Sequence, residues 1–113
     1  MCVKGCPFGA KSSVDLAVLP RGLKSGNLRV LDMTRVLELE TAADGSINGV
    51  IYLHEGEKKR ATADRYVLST GAIESPRLLL ASQGEGHQNG IGNQHDRVGR
   101  NLMETMFCVV TLE

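Results

Sequence analysis

Apolar residues change their spacing three times along these 113 residues. Between 14 and 24, Val14, Leu16, Ala17, Val18 and Leu19 recur at helical intervals, and Pro20 interrupts the pattern. Gly26 follows as a residue suited to ending a helix, so one or two short helices are predicted here. From Asn27 the period turns extended: Leu28 and Val30 lead into a strand over 31–39 that stops at Asp44-Gly45, a strong turn signal. A return strand is predicted over 47–54. Glu55-Gly56 with Glu57, Lys58, Lys59 and Arg60 reads as a second, charged turn, solvated at its tip, and 61–64 as a third strand. The expected product is a three-stranded antiparallel meander.

The third change is at Tyr66-Val67-Leu68-Ser69-Thr70, a continuous apolar run of the kind that marks a parallel strand buried on both faces. Gly71 at its end permits a backbone conformation other residues resist and allows a ligand close approach. Ser75 then reads as a helix N-cap and Pro76 as a first-turn residue of a helix reaching Ser82. A Gly-, Asn- and His-rich loop follows over 83–99, of a length more often functional or mobile than structural. A plain strand is expected over 107–112.

Composition narrows the function. Thirteen basic and thirteen acidic side chains cancel, which leaves no net field for nucleic acid or an anionic membrane. The 42% hydrophobic content belongs to a globular chain with a modest core. No apolar run approaches the roughly 20 residues that cross a bilayer, and no targeting pattern addresses the chain to a compartment.

Three cysteines do not suggest a disulfide framework. Cys2 and Cys6, separated by Val3, Lys4 and Gly5, read as a dithiol pair with Lys4 lowering a thiol pKa, as part of a metal site, or as two small residues in a tight loop. The last reading is preferred, because a metal needs further ligands at matching spacing. Cys108 reads as core. His54 closes a strand, and His87 and His95 belong to a polar loop, where solvation rather than general-base work is expected.

Four segments, in order, carry a family resemblance: Gly5-Cys6-Pro7-Phe8-Gly9-Ala10-Lys11-Ser12-Ser13; Leu19-Pro20 through Gly26-Asn27-Leu28 with the strand after it; Thr70-Gly71-Ala72-Ile73-Glu74-Ser75-Pro76-Arg77-Leu78-Leu79-Leu80; and Val98-Gly99-Arg100-Asn101-Leu102-Met103. Together they resemble the glucose-methanol-choline (GMC) oxidoreductases, flavoenzymes that oxidise alcohols. The first is similar to a Cys-containing loop of members that act on sugars, polyols and sterols. Two departures stand out. A Ser-Gly-Ile/Leu-Gly continuation is displaced to Gly90-Ile91-Gly92 by residues 83–89, and an Asp-His pair is replaced by Glu104-Thr105, to which no role is given.

The resemblance implies an α/β fold, part of an FAD/NAD(P)-binding Rossmann-like domain with the antiparallel meander beside its parallel sheet. It implies FAD as cofactor, bound through Val36, Thr70, Gly71, Ala72 and Asn101, with the Val36 backbone meeting the adenine. It implies no catalytic residue and no metal ligand within 1–113. The glycine fingerprint for the pyrophosphate is expected upstream of residue 1 and the catalytic histidine downstream of 113, so residues 1–113 are expected to be a partial FAD-binding domain, inactive alone. The intact enzyme would take a small-molecule alcohol or sugar substrate, with its electron acceptor open. The rival readings are a non-catalytic binding module on the same scaffold and a Cys2/Cys6 thiol-redox protein.

Overall fold

The structure, a computed structural model, describes residues 6–104. The strand expected over 107–112, Cys2, Lys4 and Cys108 lie outside those residues. The chain forms two compact units, Met1–Asp32 and Met33–Glu113.

In the first unit, α1 (Val14–Ala17) and α2 (Leu19–Lys24) are the two short helices the spacing predicts. Pro20 falls in the opening turn of α2, where its missing N–H costs nothing. Gly26, at φ +73°, follows the Ser25 C-cap and donates its N–H to the Leu23 carbonyl. The strand expected from residue 31 begins later, because Met33 takes φ +48° and breaks the extended run.

The second unit holds β1 (Thr34–Thr41), β2 (Ile47–His54), β3 (Glu57–Ala61) and α3 (Gly71–Ala81). The strands form the predicted antiparallel meander in the order β1-β2-β3. Its third strand is displaced, however. Glu55 and Gly56, both at positive φ (+53° and +81°), make a two-residue turn, so the ladder resumes at once with His54 opposite Glu57. The charged segment is therefore the strand itself. Arg60 shows what it does there: it reaches over Gly49 of the middle strand and donates Nε to Glu40 Oε2 of β1 at 2.5 Å. A Cβ at Gly49 would fall on that carboxylate and 2.8 Å from Arg60 Nη2.

The run 66–70 is not a strand in this structure. No strand among the described residues pairs with it, and Val67 stands 88% exposed. The helix also begins earlier than expected: Thr70 is its N-cap and Pro76 lies inside it. Ser75 caps nothing and instead shares a 2.9 Å hydrogen bond with Thr70 Oγ1. Among the described residues no helix is long and apolar enough to cross a membrane.

A bulge decides how α3 meets the sheet. Val36 faces Tyr52 and Glu38 faces Ile51, so Leu37 is an extra residue in β1. Outward-facing backbone groups of a regular strand recur every second residue, and the extra one lets the Val36 carbonyl and the Leu39 N–H both face away from β2. A side chain of α3 and that of its C-cap, Ser82, take both. Arg77 Nη2 donates to the Val36 oxygen at 3.2 Å, and the Leu39 N–H donates to Ser82 Oγ at 2.8 Å. Ser82, 1% exposed, in turn donates to the Leu78 carbonyl at 2.6 Å. Leu78 beside it, 3% exposed, is the buried large apolar side chain among the described residues. The loop after α3 is pinned back on the helix by Ile91, whose N–H reaches the Leu79 carbonyl, and by Gly90, where a Cβ would lie 2.7 Å from that same oxygen.

Removing the Ser82 hydroxyl strands the Leu39 N–H. Ser82→Ala is expected to lower stability by about 1–3 kcal/mol, the cost of a buried donor left unpaired. Ser46→Ala, at an exposed turn, is expected to cost well under that. Urea unfolding followed by circular dichroism checks both, and equal losses would show that the Ser82 bridge has no special weight.

Candidate functional site at the start of the third helix

The start of α3 carries four backbone N–H groups that no helical carbonyl can reach. Thr70, the N-cap at φ −97° and ψ 9°, makes no side-chain bond to them. Gly71 takes φ +84°, a conformation strained for residues with a Cβ, and a Cβ there would meet no atom within 4 Å. The opening turn is thus uncapped, held in a glycine conformation and open on the side where a side chain would otherwise stand. Pro76 adds an acceptor: lacking an N–H, it cannot return the helical bond to the Ala72 carbonyl.

Two hollows flank this turn. One, about 330 Å³, is apolar and lined by Val36, Leu39, Val50, Tyr66, Thr70 and Leu78 among others. The other, about 530 Å³, is lined by Ala72, Ile73, Pro76, Arg77, Arg100 and Asn101 among others. The first can take a flat apolar ring system. The second is also mainly apolar, with the guanidinium groups of Arg77 and Arg100 and the Asn101 amide set among its walls. Arg100 there is held by Asp96 at 2.7 Å, whereas Asn101 is exposed at φ +55°.

The five residues expected to touch a cofactor therefore fall into two pairs and a link. Val36 and Thr70 share the apolar hollow, Ala72 and Asn101 share the other, and Gly71 lines neither but connects them through the chain. Sequence reasoning passed over Arg77 and Leu39. The signal for Arg77 was available in its i,i+3 spacing from Glu74, whose Oε2 accepts from Arg77 Nε at 2.6 Å.

Cys6, in the first unit, opens a turn in which the Gly9 N–H donates to its carbonyl at 3.2 Å. Its thiol pKa is lowered, chiefly by the backbone N–H groups of Ala10 and then Phe8, against a smaller opposing effect of burial. Of the histidines, His54 ends β2 and hydrogen-bonds Thr34 Oγ1 through Nδ1 at 2.8 Å. His95 is exposed, while His87 Nδ1 is buried without a hydrogen-bond partner.

Comparison with known proteins places this chain in a family. Residues 1–106 match the family model described as GMC oxidoreductase. The chain belongs to the GMC oxidoreductase family. It is similar to the fructose dehydrogenase large subunit of Gluconobacter japonicus, 31% identical over 104 residues, which cover 91% of this chain and 19% of that protein. The 6'''-hydroxyparomomycin C oxidase of Streptomyces lividus is 34% identical over 105 residues, 90% of this chain and 19% of its own length. The 2-methyl-1,2-propanediol dehydrogenase of Mycolicibacterium austroafricanum is 31% identical over 111 residues, 96% of this chain and 20% of its own. The chain spans about a fifth of the length of these curated relatives.

The Cys6 turn at the N-terminal end of the GMC match yields a measurable consequence. A lowered thiol pKa enlarges the thiolate fraction below the ordinary value of about 8.5, so near neutral pH iodoacetamide is expected to label Cys6 faster in the folded chain than in urea. The advantage should shrink as pH rises through that value, where both forms ionise. Peptide mapping by mass spectrometry separates Cys6 from Cys2 and Cys108; equal rates in both states at every pH would exclude the amide effect.

Proposed function

We propose that this chain is part of the FAD-binding domain of a GMC-type enzyme that oxidises a CH–OH group of an alcohol, sugar, polyol or sterol. The observation that carries the reading is the uncapped turn Thr70-Gly71-Ala72, open beside Gly71 and set between two hollows, in a chain of this family. The relatives' names, which speak of fructose, a hydroxy compound and a diol, support the substrate class.

The residues fit FAD. Val36 and Thr70 border an apolar hollow able to receive the adenine, with the Val36 backbone at its edge. The free amides of the first turn of α3, at the positive end of the helix dipole, favour the anionic part of a dinucleotide. Ala72 and Asn101 border the second hollow, on the far side of Gly71, where Arg77 and Arg100 supply positive charge among apolar walls. The chemistry that FAD would supply at this site is hydride acceptance from the carbon bearing the hydroxyl. The task of this segment is to hold and orient; in this reading the base that takes the hydroxyl proton is a histidine outside residues 1–113. The exposed apolar run 66–70 becomes a strand of a Rossmann-like parallel sheet when the rest of the domain supplies its neighbours. Exposed Val67 and Ile73, at 88% and 70%, support that reading, since such surface is expensive to leave in water.

Two substitutions in the full-length protein test it. Val36→Asp is expected to weaken FAD retention by about 1–3 kcal/mol, the range for burying an ill-paired polar group. Unchanged flavin absorbance per chain in a folded variant would show that Val36 is not at the cofactor. Gly71→Val is expected to empty the flavin site while circular dichroism still reports a folded chain. Gly56→Val is the control, because Gly56 has nearly the same φ (+81°) and equally open surroundings but lies in the β2-β3 turn. Equal flavin loss in the two would reduce the effect to backbone strain.

A further inference from the structure

We propose that Arg77 is the positioning residue for the adenine side of the cofactor site: it holds the Val36 carbonyl and so sets the backbone edge against which the ring lies. The inference rests on the reading of Val36 given above.

Val36 adjoins the extra residue Leu37, and the ladder register shifts between Val36 and Glu38. A bulge disrupts the ladder locally, so the partner strand specifies the Val36 peptide less tightly than it would in a regular strand. Arg77 replaces that constraint from the other side. One arm of its guanidinium, Nη2, donates to the Val36 oxygen at 3.2 Å, and another, Nε, is fixed by Glu74 one turn earlier on α3 at 2.6 Å. A planar fork held at one arm presents the other in a set direction, which a lysine ammonium cannot do. The same side chain lines the hollow that contains Ala72 and Asn101, while the carbonyl it holds belongs to a residue of the apolar hollow. Arg77 therefore ties the two halves of the site to each other.

This role separates from that of Ser82. Ser82 bonds the Leu39 N–H, beyond the bulge, and is 1% exposed, whereas the Arg77 side chain is 34% exposed. Loss of Arg77 leaves the strand docked through Ser82 and frees the Val36 peptide. The effect should then fall on the ligand more than on the fold.

The test uses the full-length protein stripped of flavin and titrated calorimetrically with ADP, which carries the adenosine and pyrophosphate of the cofactor, and with FMN, which carries its flavin and one phosphate. Arg77→Gln is expected to weaken ADP roughly tenfold, as loss of a hydrogen bond from a charged donor does, with FMN affinity and Tm close to the parent's. Arg77→Lys should recover part of the loss, and Glu74→Gln, which unfastens the fork without touching Val36, should show a smaller loss of the same kind. Unchanged ADP affinity in Arg77→Gln, or ADP, FMN and Tm falling together, overturns the positioning role while leaving the proposed function in place. If Arg77→Gln does not fold, unchanged ADP affinity in both Arg77→Lys and Glu74→Gln overturns it equally. A parent protein that binds neither ADP nor FAD overturns the reading of Val36, and the role of Arg77 with it.

Discussion

The hydroxyl of Ser82 is the contact on which the second unit depends. It accepts from the backbone of β1 and donates to the backbone of α3, so one buried oxygen satisfies both a sheet edge and the last turn of a helix. Apolar burial alone would not fix that geometry, because Leu78 is the one buried large apolar side chain among the described residues. A hydrogen bond is directional where a hydrophobic contact is not, and a slip of α3 along β1 by one residue would leave the part-buried Leu39 N–H without its Ser82 partner. The far end of α3 is held to β1 in this way, and Arg77 ties the middle of the helix to the Val36 carbonyl.

Local signals in the sequence anticipated local structure. The meander, the two short helices, the turn at Asp44-Gly45 and the glycine conformation at Gly71 all follow from neighbours in the chain. The misjudged elements share a different cause. Residues 57–60 read as a turn because they are charged, although Glu55-Gly56 alone is enough to reverse the chain. Ser75-Pro76 has the composition of a helix start, yet Thr70-Gly71 had already begun the helix one and a half turns before it. The bulge at Leu37 and its two partners on α3 join residues some forty positions apart, and no local pattern announces such a pairing.

Membership of the GMC family gives the start of α3 a context, and the physics of that turn gives the membership content. A helix that opens on glycine, without a side-chain cap and with a proline one turn further on, leaves both donors and an acceptor exposed at a single place. In a purely structural helix these omissions would be defects. Between two largely apolar hollows, one of them edged by Arg77 and Arg100, they form a surface on which a molecule with an apolar ring at one end and a charged middle could be seated.

The outer edge of β3 has no strand beside it among the described residues, and its composition governs what could join it there. A second copy pairing antiparallel about Lys59 would set Lys59 against Lys59, each Lys58 against an Arg60, and only the small Ala61 against Glu57. Like charges directly opposite one another oppose pairing, so the strand discourages its own self-association. The inner edge of the sheet is guarded by a helix and the outer one by charge. The residues that most resembled a solvated loop are thus the ones that keep this small sheet from growing into a larger one between molecules.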